Sequence, residues 1–231
     1  MRERKLLLVA FLLPALPGFC QDSGYIGLGL GASIPLSDFG STSQTNEQAG
    51  YASTGGVFDL TFALKVKGNL GIAAMLRGTA NFVDAQAIAD QFAAASGTSV
   101  KVEAGSWGTG DLVVGPYGSF PVSEKTSFEA KALFGFAQAS SPSLKFSRLD
   151  GGSLLAEQQE ENAVAFTYMI AIGFKFDVGA RTCLLASVDY QGLEAEFTDV
   201  RIDSGDGSTT RTSFKQPFSM LNVGVGIARR L

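Results

Sequence analysis

Apolar and polar residues alternate with a period of two along most of the chain, which is typical of β-strands with two chemically different faces. The clearest example lies between residues 108 and 136, where two alternating runs flank a short polar turn at residues 123–126. In the second run, Phe134 and Phe136 share one face, whereas Glu129 lies on the other. Each arm has about ten residues, the length at which a tilted strand crosses a bilayer. The pattern therefore predicts an amphipathic, bilayer-length β-hairpin.

Six further runs of the same kind bring the predicted number of strands to eight. Short turns follow the second, fourth and sixth strands, and long polar connections follow the others. This alternation is typical of transmembrane barrels, which have short periplasmic turns and long extracellular loops. The predicted fold is therefore all-β, an eight-stranded antiparallel up-and-down transmembrane β-barrel. Besides the two arms of the hairpin, the predicted strands cover residues 25–36, 56–67, 70–82, 164–176, 182–197 and 217–231.

The long connections are predicted at residues 37–55, 83–105, 140–162 and 198–215. One of them contains an alanine-rich stretch, residues 84–95, in which two large apolar residues lie four positions apart. Two interpretations are open, a short helix above the barrel and a mobile loop.

The first 20 residues differ from the rest, with a basic start followed by an apolar run. This is typical of a secretory signal peptide, so the predicted division is a signal peptide at 1–20 and a barrel domain at 21–231, with cleavage near Cys20–Gln21. Lipidation of Cys20 is the alternative, but the bulky Phe19 before it argues against a lipoprotein signal.

Charge and composition exclude several classes of protein. Cleavage would remove three basic residues and one acidic residue, leaving 15 basic against 21 acidic and a net charge of −6. That balance gives no support to nucleic-acid binding. Cys183 would be the only remaining cysteine, so no intramolecular disulfide is expected. The chain has no His, and we therefore expect neither a transition-metal site nor another cofactor.

The polar faces of the strands carry a balanced set of charges. Alternation alone does not say which face is inside, but a closed lumen requires its buried charges to be paired. Together with strand length and loop asymmetry, this balance favours a membrane barrel over a water-soluble one. It also predicts a lumen charge network formed by Asp59, Lys65, Arg77, Asp111, Glu129, Lys131, Lys175 and Asp189.

Aromatic residues recur near the predicted strand ends, where the interface girdles of membrane barrels lie. The predicted girdle residues are Tyr25, Phe58, Phe82, Trp107, Phe120 and Phe176.

The sequence offers one catalytic and one metal-binding hypothesis. Asp111 and Glu129 lie on neighbouring predicted strands and form a possible acid/base pair, but a structural charge network is the preferred interpretation. The absence of His removes the commonest general base of hydrolases. Residues 203–207 resemble part of a calcium loop but lack its terminal Glu, so we interpret them as a polar turn.

Three segments stand out when the strands are set side by side: GLGLGASIPL at 27–36, VGPYGSFPVSEKTSFEAKALFGF at 114–136 and SMLNVGVGIARRL at 219–231. They resemble segments of the small outer-membrane β-barrel proteins of Gram-negative bacteria, the OmpX-like and OmpW-like group. The resemblance implies insertion by the outer-membrane assembly machinery, which reads a terminal strand that usually ends in an aromatic residue. Leu231 takes that place here.

The expected function is that of a non-enzymatic outer-membrane barrel with a side-chain-filled lumen, serving envelope integrity, surface binding or adhesion through its long loops. Expected partners are outer-membrane lipids, lipopolysaccharide and the assembly machinery, and the expected state is a monomer. The alternatives are a narrow OmpW-like channel for small or apolar solutes and, with less support, a lipid-modifying enzyme.

Overall fold

A computed structural model of the protein describes residues 24–43, 45–150 and 152–231. The predicted signal peptide and its cleavage position lie outside the described residues. In chain order the elements are β1 (Gly24–Pro35), α1 (Ser37–Gly40), β2 (Gly55–Lys67), β3 (Leu70–Phe82), α2 (Ala85–Ser96), β4 (Val100–Ala104), β5 (Ser106–Pro121), β6 (Thr126–Ser140), β7 (Leu144–Arg148), β8 (Leu154–Gln158), β9 (Asn162–Asp177), β10 (Thr182–Ser204) and β11 (Thr209–Arg230).

Eight of these strands close into a ring through antiparallel pairing. The ring runs β1, β2, β3, β5, β6, β9, β10 and β11, and β11 pairs back with β1 from Tyr25↔Arg230 to Pro35↔Met220. Closure pairs the backbone groups that a sheet edge would leave open, as a hydrocarbon environment requires. The predicted eight-stranded antiparallel barrel is confirmed.

The outer wall of the ring is apolar and its interior carries the polar residues. Leu30, Phe136 and Ile170 are each at least 60% exposed on the outer wall, whereas Arg77 and Asp189 are buried inside. A water-soluble barrel has the opposite arrangement. We call this exposed surface the apolar belt. No helix among the described residues is long and apolar enough to cross a membrane.

The two ends of the barrel differ. The short connections β2–β3, β5–β6 and β9–β10 lie at one end, together with Gly24 and Arg230. We call this the turn end. The connections β1–β2, β3–β5, β6–β9 and β10–β11 lie at the opposite, loop end.

The loop end is folded to a greater extent than the sequence indicated. Strands β10 and β11 run beyond the predicted strand ends and pair as far as Asp203↔Thr209. A bulge between Phe197 and Val200, with Asp199 at φ 60°, shifts the register of β10 against β11. The side chains of Phe197 and Val200 both remain buried as a result. Strands β8, β7 and β4 then continue the sheet outward from β10. The connections predicted at residues 83–105, 140–162 and 198–215 therefore contain strands that the sequence did not predict.

The alanine-rich stretch is a helix, so the mobile-loop interpretation was wrong. The Asp84 side chain caps α2 by accepting a hydrogen bond from the Ala87 amide at 3.0 Å. Gly97, at φ 68°, ends the helix in the left-handed conformation that glycine adopts without strain. Phe92 packs on Phe146 of β7 with ring centroids 5.7 Å apart, so the helix contacts the sheet that β8, β7 and β4 form at the loop end.

Two of the predicted girdle residues lie inside the barrel instead. Tyr25 is 1% exposed and Trp107 is 5% exposed. Residues two apart on a strand share a face, so Tyr25 lies on the face of Gly27, and Trp107 on the inward face of Thr109 and Asp111. The other predicted girdle residues, Phe58, Phe82, Phe120 and Phe176, are exposed on the outer wall.

Candidate functional site: the barrel lumen and its loop-end closure

A buried ion pair crosses the lumen at mid-height. Arg77 of β3 donates from Nη1 and Nη2 to the two carboxylate oxygens of Asp189 on β10, at 2.6 and 2.9 Å. β3 and β10 lie four strands apart in either direction around the ring, so this bidentate contact joins opposite walls. Asn222 donates to Asp189 at 2.8 Å, and Asp59 lies 3.6 Å from the guanidinium.

Asp111 belongs to the same layer but has neutral partners. Its carboxylate accepts from Gln191 Nε2 at 2.8 Å and from the Thr109 hydroxyl at 2.9 Å. Gln191 lies on β10, three strands from β5 around the ring, so this contact also crosses the lumen. Gln191 was not predicted from the sequence, although it shares the face of Asp189.

A second cluster lies nearer the turn end and is centred on Glu129. One carboxylate oxygen accepts from the Tyr25 hydroxyl at 2.8 Å and the other from the Tyr117 hydroxyl at 2.6 Å. The Lys131 ammonium lies 3.5 Å from the same carboxylate. The Lys131 and Lys175 ammoniums also lie 5.8 and 5.9 Å from the centre of the Tyr25 ring, within the range of cation–π attraction.

The structure therefore brings the predicted lumen residues together only in part. Arg77, Asp189 and Asp59 form one group, and Glu129 and Lys131 form another. Within the described residues no ion pair includes Asp111, Lys65 or Lys175. Lys65 is half-buried near the turn end of β2. Asp111 and Glu129, the hypothetical acid/base pair, accept hydrogen bonds from different donors. No hydrogen bond between described residues joins the two carboxylates.

The space left between these two clusters is small. The cavity lined by Asp59, Arg77, Glu129, Lys131 and Asp189 measures about 30 Å³, enough for about two water molecules. Arg77 Nε, Gln191 Oε1 and Asn222 Oδ1 are buried without a hydrogen-bond partner among the described residues. Such atoms are the usual partners of internal water. Side chains therefore fill the lumen at this level.

Four aromatic rings close the lumen at the loop end. Phe39, Trp107, Phe197 and Phe218 are almost fully buried and form what we call the aromatic plug. The ring centroids of Phe39 and Phe218 are 4.5 Å apart, and those of Trp107 and Phe218 are 5.4 Å apart.

The plug is fixed by main-chain contacts from the β1–β2 connection. Trp107 Nε1 donates to the Gly50 carbonyl at 2.7 Å. The Leu36 amide donates to the Ser219 carbonyl at 2.8 Å, just before α1 turns Phe39 into the barrel mouth. Phe39 was not predicted from the sequence because it stands alone among polar residues.

Above the plug, a cavity of about 240 Å³ opens among the loop-end connections. Trp107, Val83, Ile88 and Phe214 form its apolar part, and its polar lining includes Lys215. The volume suits a small, mainly apolar molecule.

The loop-end sheet, formed by β8, β7 and β4 beside the ends of β10 and β11, carries exposed ionisable groups. Lys101 and Glu103 of β4 form an exposed ion pair at 2.6 Å, and the hydrogen bond from Lys101 lowers the pKa of Glu103. Hydrogen bonds from the Thr209 hydroxyl and from Arg201 likewise lower the pKa of Asp203. No group of three or more His, Cys, Asp or Glu residues in the described part of the chain is arranged to hold a metal ion.

A closed ring with an apolar outer wall and a filled polar lumen is the architecture of a small outer-membrane β-barrel. Solved structures with this fold match nearly the whole chain. A major outer membrane protein from Thermus thermophilus is 12% identical, with a TM-score of 0.54 over 90% of this chain and 99% of that one. The outer membrane protease OmpT from Escherichia coli is 8% identical, with a TM-score of 0.51 over 93% and 99%. Neisserial surface protein A is 10% identical, with a TM-score of 0.46 over 90% and 97%.

No protein-family model matches the sequence, and no curated protein matches it. The comparisons therefore concern the fold. The resemblance to outer-membrane β-barrel proteins predicted from the sequence is confirmed at that level.

Proposed function

We propose that this protein is a non-enzymatic barrel of the bacterial outer membrane that acts through its folded loop end and does not conduct solutes. The observation that carries the proposal is the double closure of the lumen, by the Arg77–Asp189 layer at mid-height and by the aromatic plug above it. The function is then envelope integrity, surface binding or adhesion. The proposal includes secretion, with signal cleavage near Cys20–Gln21.

Single-channel recording tests the closed lumen. The mature chain is folded into vesicles, insertion is checked by heat-modifiable gel migration, and the vesicles are fused to a planar bilayer. A general porin in the same bilayer shows that pores are detected. We expect no steady current from this protein. A reproducible single-channel conductance would refute the closed lumen.

The charge of the loop end constrains the partner that it binds. Residues 36–54, 83–105, 141–161 and 192–216 hold 14 acidic and 6 basic residues. A partner that covers much of this surface is therefore cationic, or is bridged to it by divalent cations, as lipopolysaccharide phosphates are. Binding of the folded barrel to lipopolysaccharide vesicles with and without Mg²⁺ measures this preference. Equal binding in both conditions would contradict the bridged mode.

The loop-end cavity favours a second candidate, a narrow channel or binding site for small apolar solutes. Trp107 is the only tryptophan of the chain and lines this cavity, so its fluorescence reports on occupancy directly. Under this candidate function, 1-bromohexane quenches Trp107 with saturation, and Ile88→Asp weakens the quenching. Linear quenching that is unchanged by I88D would exclude a bound apolar solute.

A lipid-modifying enzyme is the least supported candidate. Its test is incubation of the folded barrel with labelled phospholipid and lipopolysaccharide, followed by chromatography of the products. We expect no change in either lipid. Time-dependent product formation that requires folded protein would overturn the non-enzymatic assignment.

A further inference from the structure

The outer wall carries a groove at the turn end of the barrel, where β10, β11 and β1 meet. The groove has a volume of about 550 Å³. Ile26, Leu28 and Ile227 form its apolar floor, and each is between 42% and 54% exposed. Thr182, a small residue on the outer face of β10, leaves room beside them. The groove is therefore a recess in the apolar belt that opens toward the surrounding bilayer.

Two arginines lie at the mouth of this groove. Arg229 is paired in register with Ile26 on one side and with Thr182 on the other, and Arg181 immediately precedes Thr182. Both side chains are exposed, and no ion pair with a carboxylate of the described residues engages either of them. The neighbouring Arg230 differs, because its guanidinium lies 3.4 Å from Asp177.

The surroundings of these arginines are also basic. Residues 65–71, 121–127, 175–183 and 229–231 form the turn end and hold seven basic and two acidic residues. The acid excess of the loop end is thus reversed at this rim. An electropositive rim beside an apolar recess has the chemistry that retains an anionic lipid at a membrane surface.

We propose that this groove binds one anionic phospholipid of the leaflet that meets the turn end. An acyl chain lies along the floor formed by Ile26, Leu28 and Ile227, and the phosphate lies between Arg181 and Arg229. The inference rests on the proposed membrane insertion. A second copy of the chain fits less well, because a two-fold contact over this groove would place the arginines of both copies together.

Native mass spectrometry of the folded mature chain in maltoside detergent tests the proposal. Phosphatidylglycerol and phosphatidylcholine with the same acyl chains are titrated, and the lipid-bound fraction is measured. We expect phosphatidylglycerol to bind the parent protein more tightly. We expect Arg181→Gln with Arg229→Gln to weaken that binding roughly 25-fold, since each cation near an anionic headgroup contributes about fivefold.

The matched control is Lys67→Gln with Lys125→Gln, which removes the same charge from the same rim outside the groove. We expect it to bind phosphatidylglycerol almost as the parent does. Equal losses in the two double variants would overturn the groove as the site, and equal affinity for the two lipids would overturn the role of the arginines.

A second variant, Thr182→Trp, fills the recess and leaves both arginines in place. We expect it to weaken phosphatidylglycerol binding, and unchanged binding would contradict the position of the acyl chain. Heat-modifiable migration of each variant shows whether the barrel is folded. A parent protein that is folded and monodisperse without detergent would refute the membrane barrel itself, an outcome distinct from folded, detergent-dependent protein that fails to retain lipid.

Discussion

The substitution Arg77→Met removes the cation that joins opposite walls of the barrel. Asp189 then loses two hydrogen bonds of 2.6 and 2.9 Å, and its carboxylate keeps only the Asn222 donor. The side chains of Arg77 and Asp189 are 2% and 3% exposed, so bulk water does not reach the carboxylate, and the adjoining cavity has room for only about two water molecules. Breaking a buried pair of this kind costs about 3–5 kcal/mol. With a urea dependence of about 2 kcal/mol per molar, the unfolding midpoint falls by roughly 2 M.

The assay is urea unfolding in detergent micelles, followed by Trp107 fluorescence and by heat-modifiable gel migration. Lys101→Gln provides a control matched in distance, because the Lys101–Glu103 pair has the same N···O separation of 2.6 Å but lies 63% and 59% exposed. We expect the control to keep the parent midpoint, since exposed pairs contribute little.

The double variant Arg77→Met with Asp189→Asn separates the ion pair from general packing. It neutralises both charges and keeps an acceptor for Asn222, so we expect it to be more stable than Arg77→Met alone. A single variant as stable as the parent, or a double variant whose cost is the sum of the two single costs, would refute the argument that this pair is coupled across the lumen.

Three other predictions concern different parts of the barrel. A Cβ at Gly135 would lie 2.0 Å from a backbone carbonyl oxygen of β5, whereas one at Gly110 would meet nothing within 4 Å. Gly135→Ala should therefore lower the urea midpoint, whereas Gly110→Ala should change the free energy of unfolding by less than about 1 kcal/mol. Equal urea midpoints for the two variants would contradict the close approach of β5 and β6 at Gly135. Trp107→Ala should cost about 3–5 kcal/mol of unfolding free energy and increase proteolysis of the loop end, and unchanged proteolysis would contradict the role of the plug. The hydrogen bond from the Thr209 hydroxyl lowers the pKa of Asp203. The β10–β11 hairpin tip should therefore be stabilised at pH values above the ordinary pKa of aspartate, and this stabilisation should be lost as the pH falls through the lowered pKa of Asp203. Amide hydrogen exchange at the tip, followed against pH, measures the loss.

The sequence predicts the wall of the barrel well because the period of two is a local property. The alternation within each strand shows which of its faces is apolar. Once one residue of a strand is known to face outward, the facing of every other residue of that strand follows. The same rule places Tyr25 and Trp107 inside. Their assignment to the girdles failed because position near a strand end was given more weight than the face on which each residue lies.

The sequence pattern could not predict which residues meet across the lumen, and the reason is physical. Arg77 meets Asp189 only because β3 and β10 are opposite in a ring of eight strands with a particular stagger. That stagger depends on all the pairings together, so the sequence predicts a pool of inward charges and not their partners. The exposed Lys101–Glu103 pair was missed because β4 has only five residues, too few to stand out from the surrounding connection.

The closure at the loop end was missed for a different reason. Phe39 is a single apolar residue within a polar connection, and it has no periodic neighbours that would indicate burial. It enters the barrel mouth because α1 and the Leu36–Ser219 backbone contact fold the connection back over the ring. A long connection of this kind carries no local signal of whether it leaves the barrel or covers it.

Fractionation of cells that express the complete chain, combined with heat-modifiable gel migration, tests the central claim most directly. We expect the protein in the outer-membrane fraction, in a form that resists detergent until it is heated and then migrates differently. That result follows from a closed ring whose outer wall is apolar over its bilayer-facing height. A protein found in the soluble fraction, with the same migration before and after heating, would contradict the membrane barrel.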